Sequence, residues 1–439
     1  MSKLTRGNSK FAISGLVVFS ILLAVTSAIL TSCTSKEKQK STDVIIWHWM
    51  TDREDVFNEL AKRYEKQTGI VVKFETFAPS DAYRDKIRAA TQGNLLPDVF
   101  SPLGDDRELA AYVKAGHIAN LTKEMESGWK DRFFEKPLAY SSFFSGNQWD
   151  VEPGIYGVPI DVTSMQIYYN KGLFKEAGLD PENPPKTWPE FIEAGRKLRA
   201  AGIQPFVSGF GEGWLAGAFV SSYEWNLLGK QGVIDTIRGK LPYTDPRWVR
   251  LLGLLGEMRE AGMFASGVAT MANKDAERLF ATGRAAMAWN GSWGVNVYHS
   301  MNPKLNYGIM LPPRLPDAKY PLKIWGGGAS SLNVNAESPN KDKAIAFLEW
   351  LTDDEQQAFL AQETRNIPAN KRCCTALSPV LREFANNLDI TQDRLPITED
   401  WKVLSVKFTG MQSIVADYKT PEQVAKEIES EKKRVASAR

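Results

Sequence analysis

The hexapeptide IIWHWM, Ile45 to Met50, sets two tryptophans two positions apart and runs straight into Thr51, Asp52 and Arg53. In an extended strand alternate side chains share a face, so Trp47 and Trp49 point one way and His48 the other. Indoles offer broad apolar faces, and the Asp–Arg pair beyond them offers charged hydrogen-bonding groups. Together these suit non-covalent capture of a small molecule better than bond-making. Other chemistries are poorly supplied. With three histidines in 439 residues, a His-rich metal centre is not expected. The cysteines are Cys33, Cys373 and Cys374; the last two are neighbours without the repeated spacing of a zinc site and cannot build a disulfide framework. They are either two thiols or a strained vicinal bridge. The segment NGSWG, Asn290 to Gly294, lacks the spacing of a G-x-S-x-G elbow. No catalytic residue, metal or cofactor is expected.

The elements that must position such residues follow an α/β grammar. After the first strand, Phe57, Leu60, Ala61 and Tyr64 recur at helical spacing, and Thr68 with Gly69 stops that helix before the strand IVVKF. Ser80 is placed to cap a helix ending at Gly93, and LLPDVF, Leu95 to Phe100, reads as a short buried strand. TWPE at Thr187, TDDE at Thr352 and TPEQ at Thr420 each read as a capping box, and Gly202 ends the helix that TWPE opens. Strands alternating with helices predict mixed sheets covered on both faces, and a chain of this length predicts two lobes rather than one core. Lys plus Arg, 54, nearly balances Asp plus Glu, 52, so no single-signed field draws the protein to nucleic acid. Trp188, Trp248 and Trp350 fall within helical patterns and are assigned to packing.

The N-terminus carries Lys3, Arg6 and Lys10 ahead of an uncharged run through Leu30, which reads as an export signal. LTSC, Leu30 to Cys33, resembles the lipobox of bacterial lipoproteins. That implies removal of residues 1–32, lipidation of Cys33, and a polar tether over 33–43. The alternative is an uncleaved anchor, since Phe11 to Leu30 is long enough to span a bilayer. Either way the remainder lies outside the cytoplasm, tethered to a membrane.

Four stretches in order carry a wider resemblance: YEKQTGI with LPDVF, YGVPIDVTSMQIYYNKGLFKEAGL with PPKTWPEF, RLFATGRAAMAWNGSW, and SPNKDKAIAFLEWLTDDEQQ. From about Val44 to the C-terminus the sequence resembles the extracellular solute-binding proteins of ABC importers, family 1, which include the maltose-binding protein. The resemblance implies a type II periplasmic-binding-protein fold: two discontinuous lobes, each a mixed sheet flanked by helices, joined by crossing strands. The expected division is 44–159 plus about 309–350 for the N-lobe and 160–308 plus about 351–439 for the C-lobe. Crossings are expected near Gly157 to Ser164, near Gly308 to Pro312, and around Ser331 to Asn335 or the helices that follow. The implied function is capture of a sugar or oligosaccharide in the interlobe cleft and its delivery to a membrane permease, by a monomer without a cofactor.

A sugar ring presents apolar C–H faces and a belt of hydroxyls, so stacked indoles rimmed by polar groups suit it. In open α/β sheets ligands sit beyond the carboxyl ends of strands. On that basis the expected ligand-binding residues are Trp49, Asp52 and Arg53; Asp106 and Arg107 of GDDRE; Thr163 beside the first crossing; Glu212 and Trp214 of GFGEGW; Asn290 and Trp293 of NGSW, with Ser292 capping the next helix; Trp325 and Gly327 of IWGGGASS; and Trp401, which aligns with a cleft aromatic of sugar-binding relatives. Trp49 and Thr51 stand where maltose-binding relatives use small polar or acidic groups, so maltose is not carried over. The alternatives are the same fold with a non-sugar solute, or a glycoside hydrolase, which would need two opposed carboxylates about 5 to 9 Å apart.

Overall fold

A computed structural model describes residues 43–438 apart from 105 and 329. The export signal, Cys33 and nearly all of the tether lie outside the described residues. In chain order the elements used below are β1 (Val44–His48), α1 (Glu54–Thr68), β2 (Val72–Thr76), α2 (Ser80–Gln92), β3 (Val99–Phe100), α3 (Asp106–Lys114), β4 (Val158–Pro159), β5 (Asp161–Val162), β6 (Met165–Asn170), α4 (Trp188–Ala200), β7 (Phe206–Val207) and α5 (Gly213–Ile237). They continue with α6 (Asn273–Ala281), β8 (Met287–Gly291), α7 (Gly294–Met301), β9 (Tyr307–Met310), β10 (Ser331–Val334), α8 (Lys341–Leu351), α9 (Asp354–Thr364), β11 (Ile367–Pro368), α10 (Trp401–Val415) and α11 (Pro421–Ser437).

Two mixed sheets result. The first has the order β2-β1-β3-β10-β4 and the second β9-β6-β8-β7. β1 and β2 pair in parallel with Val44 opposite Val72, while β10 joins β3 antiparallel with Val334 opposite Val99. In the second sheet β8 and β6 run antiparallel with Met287 opposite Tyr169. The chain passes from first sheet to second between β4 and β6, and returns between β9 and β10. A third connection is made where β11 pairs antiparallel with β5, Ile367 opposite Val162. The apolar cluster around β1 takes in Phe347, Leu348, Leu351, Leu360 and Ala369, whereas Ile367, Leu381 and Phe384 pack with the second sheet.

Local signals account for most of these boundaries. His48 is buried against Phe57 and Phe74 on one face of β1. Trp47 and Trp49 pack with the Tyr83 cluster on the other, as strand alternation requires. Gly69 closes α1 in the left-handed region, φ 76°, where a side chain is disfavoured. Thr187 and Thr420 form reciprocal capping boxes with Glu190 and Gln423. Trp188 and Trp248 are buried, and Trp350 packs against Tyr64 and Phe347.

Three local expectations need correction. Ser80 is the first residue of α2 and caps nothing; Pro79 precedes it without a side-chain bond. Thr352 terminates α8 instead of opening α9: its hydroxyl donates to the Leu348 carbonyl at 2.8 Å and accepts the Trp129 indole N–H at 2.8 Å, and Asp353 caps α9 through Gln356 N. LLPDVF is a strand only at Val99–Phe100, because Pro97 has no N–H for the ladder, and the Leu96 and Pro97 carbonyls take bonds from the Asn335 amide.

Candidate functional site

Three tryptophans from distant parts of the chain meet on the second lobe. Trp214 lies in the first turn of α5, Trp293 immediately precedes α7, and Trp325 lies in the return connection between β9 and β10. The Trp214 ring centroid is 6.2 Å from Trp293 and 5.9 Å from Trp325, at interplanar angles of 48° and 43°. All three are half-buried and rest on the core that holds Trp289 and Leu215. The result is a continuous tilted aromatic surface at the carboxyl-end side of β7 and β8.

Carboxylates beneath the surface fix its orientation. Trp214 Nε1 donates to Glu212 Oε2 at 3.3 Å, and Glu212 Oε1 accepts the Asn273 N–H at 2.8 Å, tying α5 to the start of α6. Trp293 Nε1 donates to Glu277 Oε1 at 3.3 Å. That oxygen also accepts from the amides of Asn273 at 3.0 Å and Asn290 at 3.1 Å, and Lys274 Nζ is 3.0 Å from the other oxygen. Glu277 and Asn290 are each 1% exposed. Asn290 further donates to the Tyr298 hydroxyl and accepts the Gly291 N–H. It therefore supports the platform from below instead of facing a ligand. Glu277 was not anticipated from the sequence; the available signal was a charge among Ala276, Phe280 and Ala281, the buried face of α6.

Gly291 is required here for steric reasons: a Cβ on it would overlap the Trp293 ring. Ser292 does not cap α7. Its N–H donates to the Ser164 carbonyl at 2.9 Å, its carbonyl accepts from Val295, and its buried hydroxyl has no partner among the described residues. The glycines after Trp325 serve the crossing instead of a ligand. Met165 N donates to the Trp325 carbonyl and Gly327 N to the Thr163 carbonyl, both at 2.9 Å, while Thr163 N and hydroxyl donate to the Gly328 carbonyl at 3.0 and 3.3 Å. Gly326 and Gly327 adopt φ of 146° and 84° to make that approach.

On the first lobe Trp49 lies just beyond β1, tilted against Tyr83 at 5.4 Å. Asp52 and Arg53 form a single 3-10 turn. The Arg53 guanidinium is buried, ion-paired with Asp161 of β5 through Nη2, with Asp52 Oδ2 3.7 Å from its Nε. Asp161 also accepts from the Ser330 N–H at 2.6 Å and hydroxyl at 3.0 Å. Arg53 thus anchors two crossing segments through Nη2, while its buried Nε and Nη1 have no hydrogen-bond partner among the described residues. Asp52 reaches the second lobe through its carbonyl, which accepts the Asn296 amide at 3.2 Å, and its carboxylate accepts the Asn366 amide at 3.5 Å.

Asp106 and Arg107 are likewise engaged. Asp106 Oδ2 accepts Arg394 Nε at 2.9 Å, and Arg107 Nη2 is 3.2 Å from Asp400 Oδ2. Trp401, beside Asp400, is 51% exposed and meets Phe408 edge-on at 6.3 Å. The structure therefore gathers Glu212, Trp214, Trp293 and Trp325, places Trp49 and Asp52 on the facing lobe and Trp401 near the Asp400 cap. It commits Arg53, Asp106, Arg107, Thr163, Gly327 and Asn290 to protein partners.

The family model described as bacterial extracellular solute-binding protein matches residues 49–358. The chain belongs to the bacterial extracellular solute-binding protein family. This family member is 27% identical to the sn-glycerol-3-phosphate-binding periplasmic protein UgpB of Brucella abortus (strain 2308) over 368 residues, 78% of this chain and 79% of the relative. Among solved structures it resembles one described as a chitin oligosaccharide binding protein, with TM-score 0.76, 24% identity, and 89% of this chain and 98% of that one covered. It also resembles a solute-binding protein from Thermotoga lettingae bound with alpha-D-tagatose, with TM-score 0.76, 21% identity, and coverage of 90% and 100%. These likenesses show the two-lobed type II fold. Among the described residues of this solute-binding protein, no helix is long and apolar enough to cross a membrane.

Proposed function

We propose that this chain is the receptor subunit of an ABC importer, and that it captures an uncharged sugar or oligosaccharide between its lobes, without catalysis, and hands it to a membrane permease. The observation that carries the choice of ligand is the Trp214–Trp293–Trp325 surface, with the Trp214 and Trp293 indole N–H groups held by carboxylates. Such a surface leaves ring faces for C–H stacking, and the adjacent Glu212 and Glu277 disfavour a phosphate. The arginines at the lobe boundary are no counterweight, because Arg53, Arg107 and Arg394 each face a carboxylate. A phosphate dianion, as in the relative's glycerol phosphate, calls for surplus cation.

Trp49, Asp52 and Trp401 complete the proposed rim. We divide the lobes at the two sheets, with the second pass through the N-lobe running from β10 to about Ala369. The same reading takes Cys33 as the lipid-bearing residue and the protein as a membrane-tethered monomer. Glu277 is an unsuitable glycosidase acid, since three N–H groups fix one of its oxygens in a buried position.

The test is a thermal-shift panel of neutral mono- and oligosaccharides beside sn-glycerol 3-phosphate, amino acids and polyamines. A ligand at 100 times its Kd adds about 2.7 kcal/mol to the state that binds it. Stabilisation by a neutral saccharide class, with the sugar recovered intact, is the expected result. A shift with glycerol 3-phosphate and silence with sugars would overturn the reading.

A further inference from the structure

Residues 390–400, between the helix Pro379–Asn386 and α10, form a strap that touches both lobes. It is fixed to the second lobe by the exchange Ile324 N to Ile390 O at 3.0 Å and Gln392 N to Ile324 O at 2.9 Å, by Gln392 Nε2 on the Ser221 carbonyl at 2.9 Å, and by Lys230 to Asp393 at 3.2 Å. Toward the first lobe it makes contacts of another kind. The Arg394 guanidinium donates Nε to Asp106 Oδ2 at 2.9 Å and Nη1 to the Ala139 and Ser142 carbonyls, and lies 5.4 Å from the Phe143 ring. Lys136 Nζ donates to the Thr391 carbonyl at 2.9 Å and hydroxyl at 3.0 Å, Gln148 to the Thr398 hydroxyl at 3.2 Å, and Arg107 to Asp400 at 3.2 Å.

The position of the strap matters. Asp106 and Arg107 begin α3 beyond the carboxyl end of β3. Asp400 caps α10, whose Phe408 lies against Gly213 and Gly217 of α5, next to Trp214. The strap therefore bridges the lobes on the side that carries the tryptophan surface. Its contacts are made by protein groups alone, so none of them needs a ligand atom to complete it.

We propose that Arg394 is a positioning residue that draws the lobes together before a ligand arrives. A guanidinium is suited to this because its donors form a rigid planar fork able to satisfy three acceptors at once. The Arg394 and Asp106 side chains are 16% and 15% exposed, so solvent screens their pairing less than that of a surface ion pair. A receptor held closed in advance loses little affinity to an unpopulated binding state. The inference stands apart from the identity of the ligand.

Small-angle scattering of the ligand-free protein tests it. Arg394→Ala is expected to shift the radius of gyration upward with unchanged circular dichroism, Arg394→Lys to restore part of the difference, and raising salt to about 1 M, where the Debye length falls to about 3 Å, to move the wild type toward the variant. Should Arg394→Ala fail to fold, Lys136→Gln, which removes another anchor of the same strap, is expected to show the same upward shift. Scattering identical to wild type for a folded Arg394→Ala, or for Lys136→Gln in its place, would overturn the proposal. Because no ligand is added, that failure would leave the sugar-receptor reading intact.

Discussion

The His48 ring is buried with Nδ1 accepting the Met50 N–H at 3.2 Å, so its proton sits on Nε2, 3.2 Å from the Thr76 hydroxyl. Burial, reinforced by nearby Arg53, lowers its pKa from the usual 6.5 to about 4. The unfolded chain binds this proton below about pH 6.5 while the folded chain refuses it down to about pH 4, so stability falls as pH falls through that window. The loss is about 2 kcal/mol by pH 5 and approaches about 3 kcal/mol below pH 4. Urea unfolding at pH 7 and pH 5 checks this: His48→Gln should be less stable at pH 7 yet lose about 2 kcal/mol less than wild type on acidification. Equal losses in the two proteins would remove His48 from the pH response. That His48 and the two tryptophans take opposite faces of the strand was legible, because alternation in a strand is local. The partners of Asp106 and Arg107 were not, since Arg394 and Asp400 lie 288 and 293 positions away.

At the scale of elements, the end of β8 shows what a sequence motif conveys and what it omits. NGSW marked a strand end with a tryptophan beyond it, which the fold bears out. All five residues of β8 are buried, however, so no alternation shows that Asn290 turns into the foundation while Trp293 remains half-exposed. The same strand end makes Gly291→Ala informative. The added methyl would meet the Trp293 ring, and relief requires the indole to leave its bond to Glu277. Overpacking of this kind costs roughly 1–3 kcal/mol. Ligand affinity should fall by about tenfold or more, equivalent to about 1.4 kcal/mol. Isothermal titration with the saccharide found by the thermal-shift panel gives the affinity and denaturant unfolding the stability; unchanged affinity would place Trp293 outside the binding surface.

For the whole molecule, the α/β grammar was legible because caps, stops and periodicities are written in adjacent residues. The joining of the lobes is written in pairs far apart, and its centre is Asp161. That carboxylate receives the Arg53 guanidinium from the first-lobe turn and the Ser330 N–H and hydroxyl from the return connection, while β5 beside it pairs with β11. Three passes of the chain between lobes are thus held at one buried ion pair. Removing one partner strands the other charge away from water, which typically costs 3–5 kcal/mol, whereas replacing both with apolar groups of similar volume is often neutral. Asp161→Asn should therefore lower unfolding stability by roughly that amount. The double replacement Arg53→Met with Asp161→Leu should recover much of it, limited by the Ser330 groups left unpaired. Denaturant unfolding of Arg53→Met alone, Asp161→Leu alone and the pair completes the cycle. Additive losses would show that Arg53 and Asp161 act separately, and the crossing would then owe its integrity to the strand pairing of β5 with β11.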